Sequence, residues 1–483
     1  MIRHCLNKKF IFYSVLVLIF IFGILIRVNW YLSDISFWFD ELLLVLNLQE
    51  ITIFDIFKPL NYNQSVPPLF LLIIKSLISV FGHSELIYRL FSIFCGILSI
   101  FVFYLFSLKF FRKNCLGIIV VNFLFAINYY TIYYTAEVKP YISDMLTYMC
   151  TFLILDKLSQ NNKLHIIIAS FIFAVLPWFS VPSLFILTSW FIMQAIYKKF
   201  SLKSLFIIGT SYCLSFIFYF FKILLPTRKL MLDNGWDNIW STRIISDFYS
   251  AISVIKTNIL YEFYPNTFVL LILILLIISW IYFIKEKNYY NNILTLSFGL
   301  SILFSFTSLY PFYQRLTLYC FPIILIVFAY PLEKISKKYI YILFIIIVLN
   351  GYNLKYLKNI CFEYSSLRGN SKQIINVLKK NYNPNKDYIV INSYSTLSFY
   401  YYTKDLDINT QNITVLNSSK MPKNKFFEIL NNLQKNTDYI FIKLHDTENL
   451  KDSEYLYFED WIKDKNIILK TIDSNNFIYK IKL

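Results

Sequence analysis

Asp40 and Glu41 stand side by side in the run Ser36-Phe37-Trp38-Phe39-Asp40-Glu41, directly after a long apolar stretch. Acids beside a bilayer are costly unless used or paired, and a carboxylate set among aromatic rings is suited to general-base work. The alternative is an aromatic belt at a membrane interface that carries a solvated acid pair. A second group is Tyr133-Tyr134-Thr135-Ala136-Glu137-Val138-Lys139-Pro140-Tyr141, where Glu137 and Lys139 either serve a ligand or pair with each other. The third is Tyr310-Pro311-Phe312-Tyr313-Gln314-Arg315, and Arg89 opens another apolar run, where an arginine commonly anchors to lipid headgroups. Acids able to take a proton and cations able to hold an anion are thus both present, and the elements around them decide whether they meet.

Those elements are apolar. Of 483 residues, 57% are hydrophobic, 20% aromatic and only 16% charged, well below the charged fraction of a soluble domain. Runs that could span a bilayer fall near 10–30, 86–108, 115–132, 140–156, 164–180, 182–197, 204–225, 263–284, 291–310, 316–332 and 339–355. The first is as long as a spanning helix and no small-x-small cleavage pattern follows it, so it reads as an anchor. With the N-terminus in the cytoplasm, every inner turn is basic: Arg3, Lys8 and Lys9; Lys109, Arg112 and Lys113; Lys157 and Lys163; Lys198, Lys199 and Lys203; Lys285 and Lys287; Lys334, Lys337 and Lys338. Short outer turns hold only Lys139 and Arg315. This alternation requires Pro67–Phe81, which opens on two prolines and has Lys75 in its middle, to lie in the outer interface rather than cross. The outer loops are then 31–85 and 226–262, and the C-terminus is extracytoplasmic.

Net charge is +17, from 46 basic and 29 acidic residues. In a soluble chain that would raise nucleic-acid binding, but the apolar runs place the charge at membrane turns and exclude it. Residues 360–483 carry 17 basic and 14 acidic residues and read as a small α/β domain. Its helices are expected at 371–381 and 425–435, and its strands at 387–392, 438–443 and 477–482. The predicted division is therefore a transmembrane domain over 1–358 and an extracytoplasmic α/β domain over 359–483. Seven scattered cysteines show neither CxxC spacing nor a Cys/His cluster, so neither a disulfide framework nor structural zinc is expected.

Taken in order, Trp38-Phe39-Asp40-Glu41, Pro67-Pro68-Leu69-Phe70, Phe81-Gly82-x-Ser84-Glu85-x-x-x-Arg89, Ala136-Glu137-Val138-Lys139-Pro140-Tyr141, and Arg315 ahead of Pro322 resemble the GT-C glycosyltransferases. The group resembled is the bacterial relatives of the protein O-mannosyltransferases and of the aminoarabinose transferase of lipid A, over roughly residues 10–335. The resemblance implies a polytopic α-helical GT-C fold of about 11 transmembrane helices. It also implies inverting transfer of a sugar from a polyprenyl-phosphate carrier to a hydroxyl of a protein, lipid or glycan acceptor on the outer face of the cell membrane. Asp40 matches the family's general base and Glu41 its neighbouring acid. Glu137, Lys139, Tyr141 and Arg315 match family positions and are expected to bind substrate, with Arg89 and Tyr313 as further substrate-binding candidates. Val66 stands where relatives often have His and Lys139 where they have Arg; a lysine meets phosphate as a point charge rather than a fork. Asp40, Glu41 and Glu137 could supply oxygens to magnesium or manganese, but no metal is expected to be required.

Two other classes fit the hydropathy. A transporter or flippase of lipid-linked sugars would more often carry charges at the midplane on interrupted helices and show repeat symmetry, and no internal repeat is visible. A catalytically silent protein that recruits cell-surface polymers would tolerate loss of every charge named above.

Overall fold

A computed structural model describes residues 2–33, 35–111, 115–159, 162–234, 269–286, 288–307, 309–331, 371–392, 395–406, 408, 410–416, 428–433, 438–443, 461–462, 465–473 and 476–482. The chain divides into two compact units: Met1–Leu32 with Asn47–Leu357, and Ser33–Leu46 with Lys358–Leu483. Part of the expected outer loop 31–85 thus groups with the C-terminal residues.

The described part of the first unit is helical. Its helices are α1 (Ile2–Leu32), α3 (Pro68–Phe81), α4 (Glu85–Ser107), α5 (Cys115–Ile127), α6 (Tyr129–Tyr133), α7 (Tyr141–Asp156), α8 (Lys163–Phe179), α9 (Ser183–Ile196), α10 (Leu202–Tyr219), α11 (Leu225–Asp233), α12 (Val269–Lys285), α13 (Tyr289–Phe306) and α14 (Phe321–Ala329). The remaining one of this half, α2 (Phe39–Glu50), begins in the second unit. Ten of the eleven expected spans fall on these helices, and 339–355 lies outside the described residues, as does most of the loop 226–262. Phe10–Leu32, Glu85–Ser107 and Leu202–Asp233 are each long and apolar enough to cross a bilayer. Among the described residues a fourth such candidate results if the bent pair Leu116–Ile127 and Tyr129–Ala136 counts as one.

Local chemistry explains where the helices start. Ser84, Asn128, Asn162, Ser201 and Asn288 each accept a hydrogen bond from a backbone N–H in the first turn of α4, α6, α8, α10 and α13. Pro68 opens α3, where a missing N–H costs nothing. Phe70, Leu71, Ile74 and Ile78 form the buried face of α3, which packs on α4 and α8. Lys75, at its middle, donates to the carbonyl of Leu48 at 2.6 Å, one of the C-terminal carbonyls that α2 leaves without an intrahelical donor.

The bend of 53° between α5 and α6 is held from α1. Arg27, the only charged residue between Phe10 and Trp30, is fully buried. Its Nη1 donates to the carbonyls of Ala126 (2.8 Å) and Gly23 (3.0 Å), and its Nη2 to Thr131 Oγ1 (2.9 Å). Carbonyls freed by a helix break must find donors within the protein in an apolar setting, and a guanidinium supplies several at once. Trp30 adds a bond from Nε1 to the Tyr133 carbonyl at 3.0 Å and stacks on the Tyr133 ring. The 3-10 turn Tyr134–Ala136 that follows presses onto α4 at Gly96, where an added Cβ would lie 2.1 Å from Thr135 Cγ2 and 2.9 Å from its Cβ.

In the second unit five strands form a mixed sheet of order β2-β1-β3-β5-β4: β1 (Asp387–Asn392), β2 (Ile413–Leu416), β3 (Asp438–Lys443), β4 (Asn466–Asp473) and β5 (Asn476–Lys482). β2, β1 and β3 are parallel, while β5 runs antiparallel to both β3 and β4. Ile389, Ile391, Ile440 and Ile442 meet Ile374, Ile375 and Leu378 of α15 (Ser371–Asn381) and Phe399 of α16 (Thr396–Tyr402) on one face. Val390, Tyr439 and Phe441 meet Leu430, Trp461 and Ile462 on the other. Burial on both faces is why β1 and β3 read as unbroken apolar runs. Asp387 is buried and paired with Lys480 at 2.7 Å.

Gly96→Ala should overpack the seam between α4 and the turn and cost about 1–3 kcal/mol. Gly299→Ala, at a position in α13 with nothing within 4 Å, should be neutral or stabilise by up to about 1 kcal/mol. Thermal unfolding in detergent compares the two; equal melting temperatures would show that the seam has room.

Candidate active site

In the first unit the break between α5 and α6 places the chain from Asn128 to Tyr141 across α4 and the start of α7. Asn128 Oδ1 accepts from the Thr131 N–H at 2.9 Å and restarts the helix. After the 3-10 turn the backbone becomes extended at Glu137, whose side chain is buried and whose carbonyl accepts from Ser92 Oγ of α4 at 2.5 Å. Arg89, one turn before Ser92 on the same face of α4, is 1% exposed. It lies within electrostatic reach of Tyr31 at the end of α1, and Tyr31 Oη donates to the Leu86 carbonyl at 2.8 Å.

Lys139 is also buried, and its Nζ donates to Gln64 Oε1 at 2.6 Å. Gln64 is supplied by a loop that Asn47 braces: Asn47 Nδ2 donates to the Asn61 carbonyl at 3.1 Å while the Asn61 N–H donates to Asn47 Oδ1 at 2.8 Å.

Arg315 belongs to the 3-10 turn Gln314–Cys320, which packs on α7. Gln314 stands at φ 43, the left-handed region that few non-glycine residues adopt, and this sharp turn directs the chain between Tyr313 and Arg315. Gln314 Nε2 donates to Tyr313 Oη at 2.9 Å, and Tyr310 Oη donates to the Leu316 carbonyl at 2.9 Å. The half-buried Arg315 guanidinium lies 5.6 Å from the ring centre of Tyr141, a cation–π distance. Tyr141 in turn meets Tyr134 edge to face at 5.1 Å. The structure therefore joins Arg315 with Tyr141, links Glu137 to the helix of Arg89 through Ser92, and carries Lys139 on the turn between them.

Asp40 and Glu41 lie in the second unit, in the first turn of α2. The Trp38 carbonyl accepts from the Leu42 N–H at 2.9 Å, and the Trp38 N–H donates to Glu41 Oε2 at 3.4 Å. Glu41 thus closes the turn from its third helical position, one half of a capping box, and is fully buried. Asp40 is half-buried. The two neighbouring acids have different surroundings: one is built into the backbone and the other retains access.

Reading the residues left out three groups. Arg27 was signalled only by its isolation in an apolar run. Gln64 carried no signal, because a glutamine in a loop is ordinary. Asp144, in the first turn of α7, is 7% exposed and close to Ser180, Tyr219 and Tyr310. Among the described residues Asp144 Oδ1 and Ser180 Oγ have no hydrogen-bond partner. An aspartate inside the expected span 140–156 was its available signal. Among the described residues no three His, Cys, Asp or Glu side chains converge as a metal site.

No protein-family model and no curated protein sequence matches the chain. Solved structures similar to it include two of one protein. One is ArnT from Cupriavidus metallidurans bound to undecaprenyl phosphate, 10% identical, with 98% of each chain covered and a TM-score of 0.48. The other is ArnT from Cupriavidus metallidurans in the apo state, 8% identical, covering 99% of this chain and 98% of that one with a TM-score of 0.49. At such identities and scores the functional reading rests on this chain's own residues.

The contrast between the two acids can be measured. Glu41→Ala should lower stability by about 0.5–2 kcal/mol through the lost cap. Asp40→Asn, at a half-buried position, should cost less than that. The reverse order in thermal unfolding would make Asp40 the structural acid of the pair.

Proposed function

We propose that the protein transfers a sugar from a polyprenyl-phosphate carrier to an acceptor hydroxyl at the outer face of the cell membrane, with inversion at the anomeric carbon. The observation that carries this reading is the placement of Arg89, Lys139 and Arg315 on packed elements of an apolar helical unit, two of them buried and the third against Tyr141. A phosphate beneath a lipid tail is an anion that cations carried on an apolar helical unit can receive.

In the proposed reaction the acceptor oxygen forms a bond to the anomeric carbon as the bond from that carbon to the phosphate oxygen breaks. Asp40 takes the acceptor's proton. The phosphate leaves as the free polyprenyl phosphate, its charge held by Arg315 and Lys139 together with Arg89. Tyr141 and Tyr313 line the binding region, and Asp144 with Ser180 offers acceptors for sugar hydroxyls. Glu41 supports the helix that carries Asp40, and Glu137 holds the turn that carries Lys139. The scheme needs no metal, so EDTA should leave turnover intact.

Basic inner turns support an N-terminus in the cytoplasm and a C-terminal unit outside, in a multi-pass arrangement. Impermeant thiol labelling of a cysteine-free background carrying Lys58→Cys should succeed on intact cells, and that of Lys198→Cys only after permeabilisation. The opposite result would invert the topology.

Transfer from a panel of radiolabelled undecaprenyl-phosphate monosaccharides into native membranes tests the chemistry. Asp40→Asn should reduce turnover by about 10²–10⁴ while donor binding changes little. Arg315→Ala removes a charge-assisted contact of about 1.5–3 kcal/mol, roughly ten- to a hundredfold in rate, whereas exposed Arg228→Ala should have little effect. Full activity of Asp40→Asn would sink the mechanism, and equal losses at Arg315 and Arg228 would remove the phosphate clamp.

A further inference from the structure

The residues from Ile35 to Trp38, just before the helix that carries Asp40, have no regular structure of their own. Backbone N–H groups in such a segment need partners outside it when they are buried. Ser36 and Phe37 are 1% and 0% exposed, and their contacts come from the far end of the chain. The Phe37 N–H donates to Tyr402 Oη at 2.7 Å, and the Phe37 ring meets Tyr401 edge to face at 5.8 Å. Ser36 Oγ accepts from the Lys372 N–H at 2.9 Å, which fills one of the open N–H groups in the first turn of α15.

These contacts are anchored. Tyr401 and Tyr402 end α16, whose Phe399 is buried in the isoleucine core of the sheet, and Tyr402 packs against that core. A continuous path of packed groups thus runs from the sheet through α16 to the Phe37 amide, three residues before Asp40. Trp38, between them, is tied to Glu41 and Leu42 in the first turn of α2.

We propose that the C-terminal unit fixes the position of the catalytic carboxylate, with Tyr402 as a positioning residue that acts on Asp40 through the Phe37 amide. This inference rests on Asp40 being the base. A proton acceptor displaced by about 1 Å can lose on the order of a hundredfold in rate, so a single well-placed hydrogen bond at the start of its helix is consequential. The sheet then needs no contact with substrate to be required for turnover.

Tyr402→Phe removes the one hydroxyl and keeps the ring. In the full-length protein in nanodiscs, hydrogen–deuterium exchange should quicken in peptides covering Phe37, with little change in the strands or in α15. With the labelled undecaprenyl-phosphate panel, kcat should fall roughly ten- to a hundredfold while the KM for donor stays near the parent value. Tyr400→Phe, on an exposed position of α16, is the control and should match the parent. In an Asp40→Asn background Tyr402→Phe should add little further loss, because the group it positions is already disabled. Unchanged exchange at Phe37 overturns the proposal, as does an unchanged kcat, or an equal added loss in the Asp40→Asn background. If Asp40→Asn is itself fully active, or no donor is turned over, the parent reading fails and this one with it. Should Tyr402→Phe prove unstable, Ser36→Ala weakens the neighbouring tie and must show the same exchange and kcat pattern.

Discussion

The guanidinium of Arg27 is the interaction on which the helical unit's candidate site depends. A chain that leaves a helix among apolar neighbours exposes carbonyls that water cannot reach, and the break at Asn128 would be untenable unless donors were supplied from elsewhere. Arg27 delivers them from the first helix to Ala126 and Thr131. With those groups satisfied, the chain can turn by 53°, form a single 3-10 turn and present Glu137, Lys139 and Tyr141 at the end of α7. The lone charge in the first apolar run is therefore what permits irregular backbone several helices later in the sequence.

α4 holds this turn in place. Its face from Arg89 through Ser92 to Gly96 provides, one turn after another, a buried cation, a hydroxyl that ties down the Glu137 carbonyl, and a gap into which Thr135 fits. The positions differ in chemistry but share one geometric requirement, that the 3-10 turn lie close against the helix. The turn bearing Arg315 meets α7 from another part of the chain, and its left-handed residue Gln314 accounts for a change of direction that periodicity alone does not anticipate. Tyr141 then serves both elements, as the first helical residue of α7 and as the aromatic face for Arg315.

The second unit draws a short segment of the N-terminal half into itself. Ser33–Leu46 belongs with the sheet because Ser36 and Phe37 bury their side chains and share their polar groups with Lys372 and Tyr402. Asp40 and Glu41 are thereby carried by a structure made mostly from the other end of the chain. Their adjacency in sequence hides a division of labour: Glu41 is spent on its own helix terminus, and Asp40 keeps partial exposure.

Much of this was legible without coordinates. Apolar runs and Ser or Asn caps lie within a few residues of the elements they specify, so helices at ten of the expected apolar runs and the strands at 387–392 and 438–443 could be read from local pattern. The acid pair, the Glu137–Tyr141 turn and Arg315 were visible as ionisable groups beside apolar stretches, where charge is rarely idle. Partnership was not visible. The bond between Phe37 and Tyr402 joins residues 365 apart, that between Ser36 and Lys372 residues 336 apart, and Arg27 reaches Ala126 across 99. Gln64 gave no sign that it would receive Lys139, and nothing local separated Glu41 from Asp40. Periodicity, capping and charge placement are properties of neighbouring residues, so the sequence by itself determined the elements and the candidate chemistry. Which carbonyl a guanidinium satisfies, and which hydroxyl holds an amide, depends on how distant segments pack, and only the tertiary structure decided that.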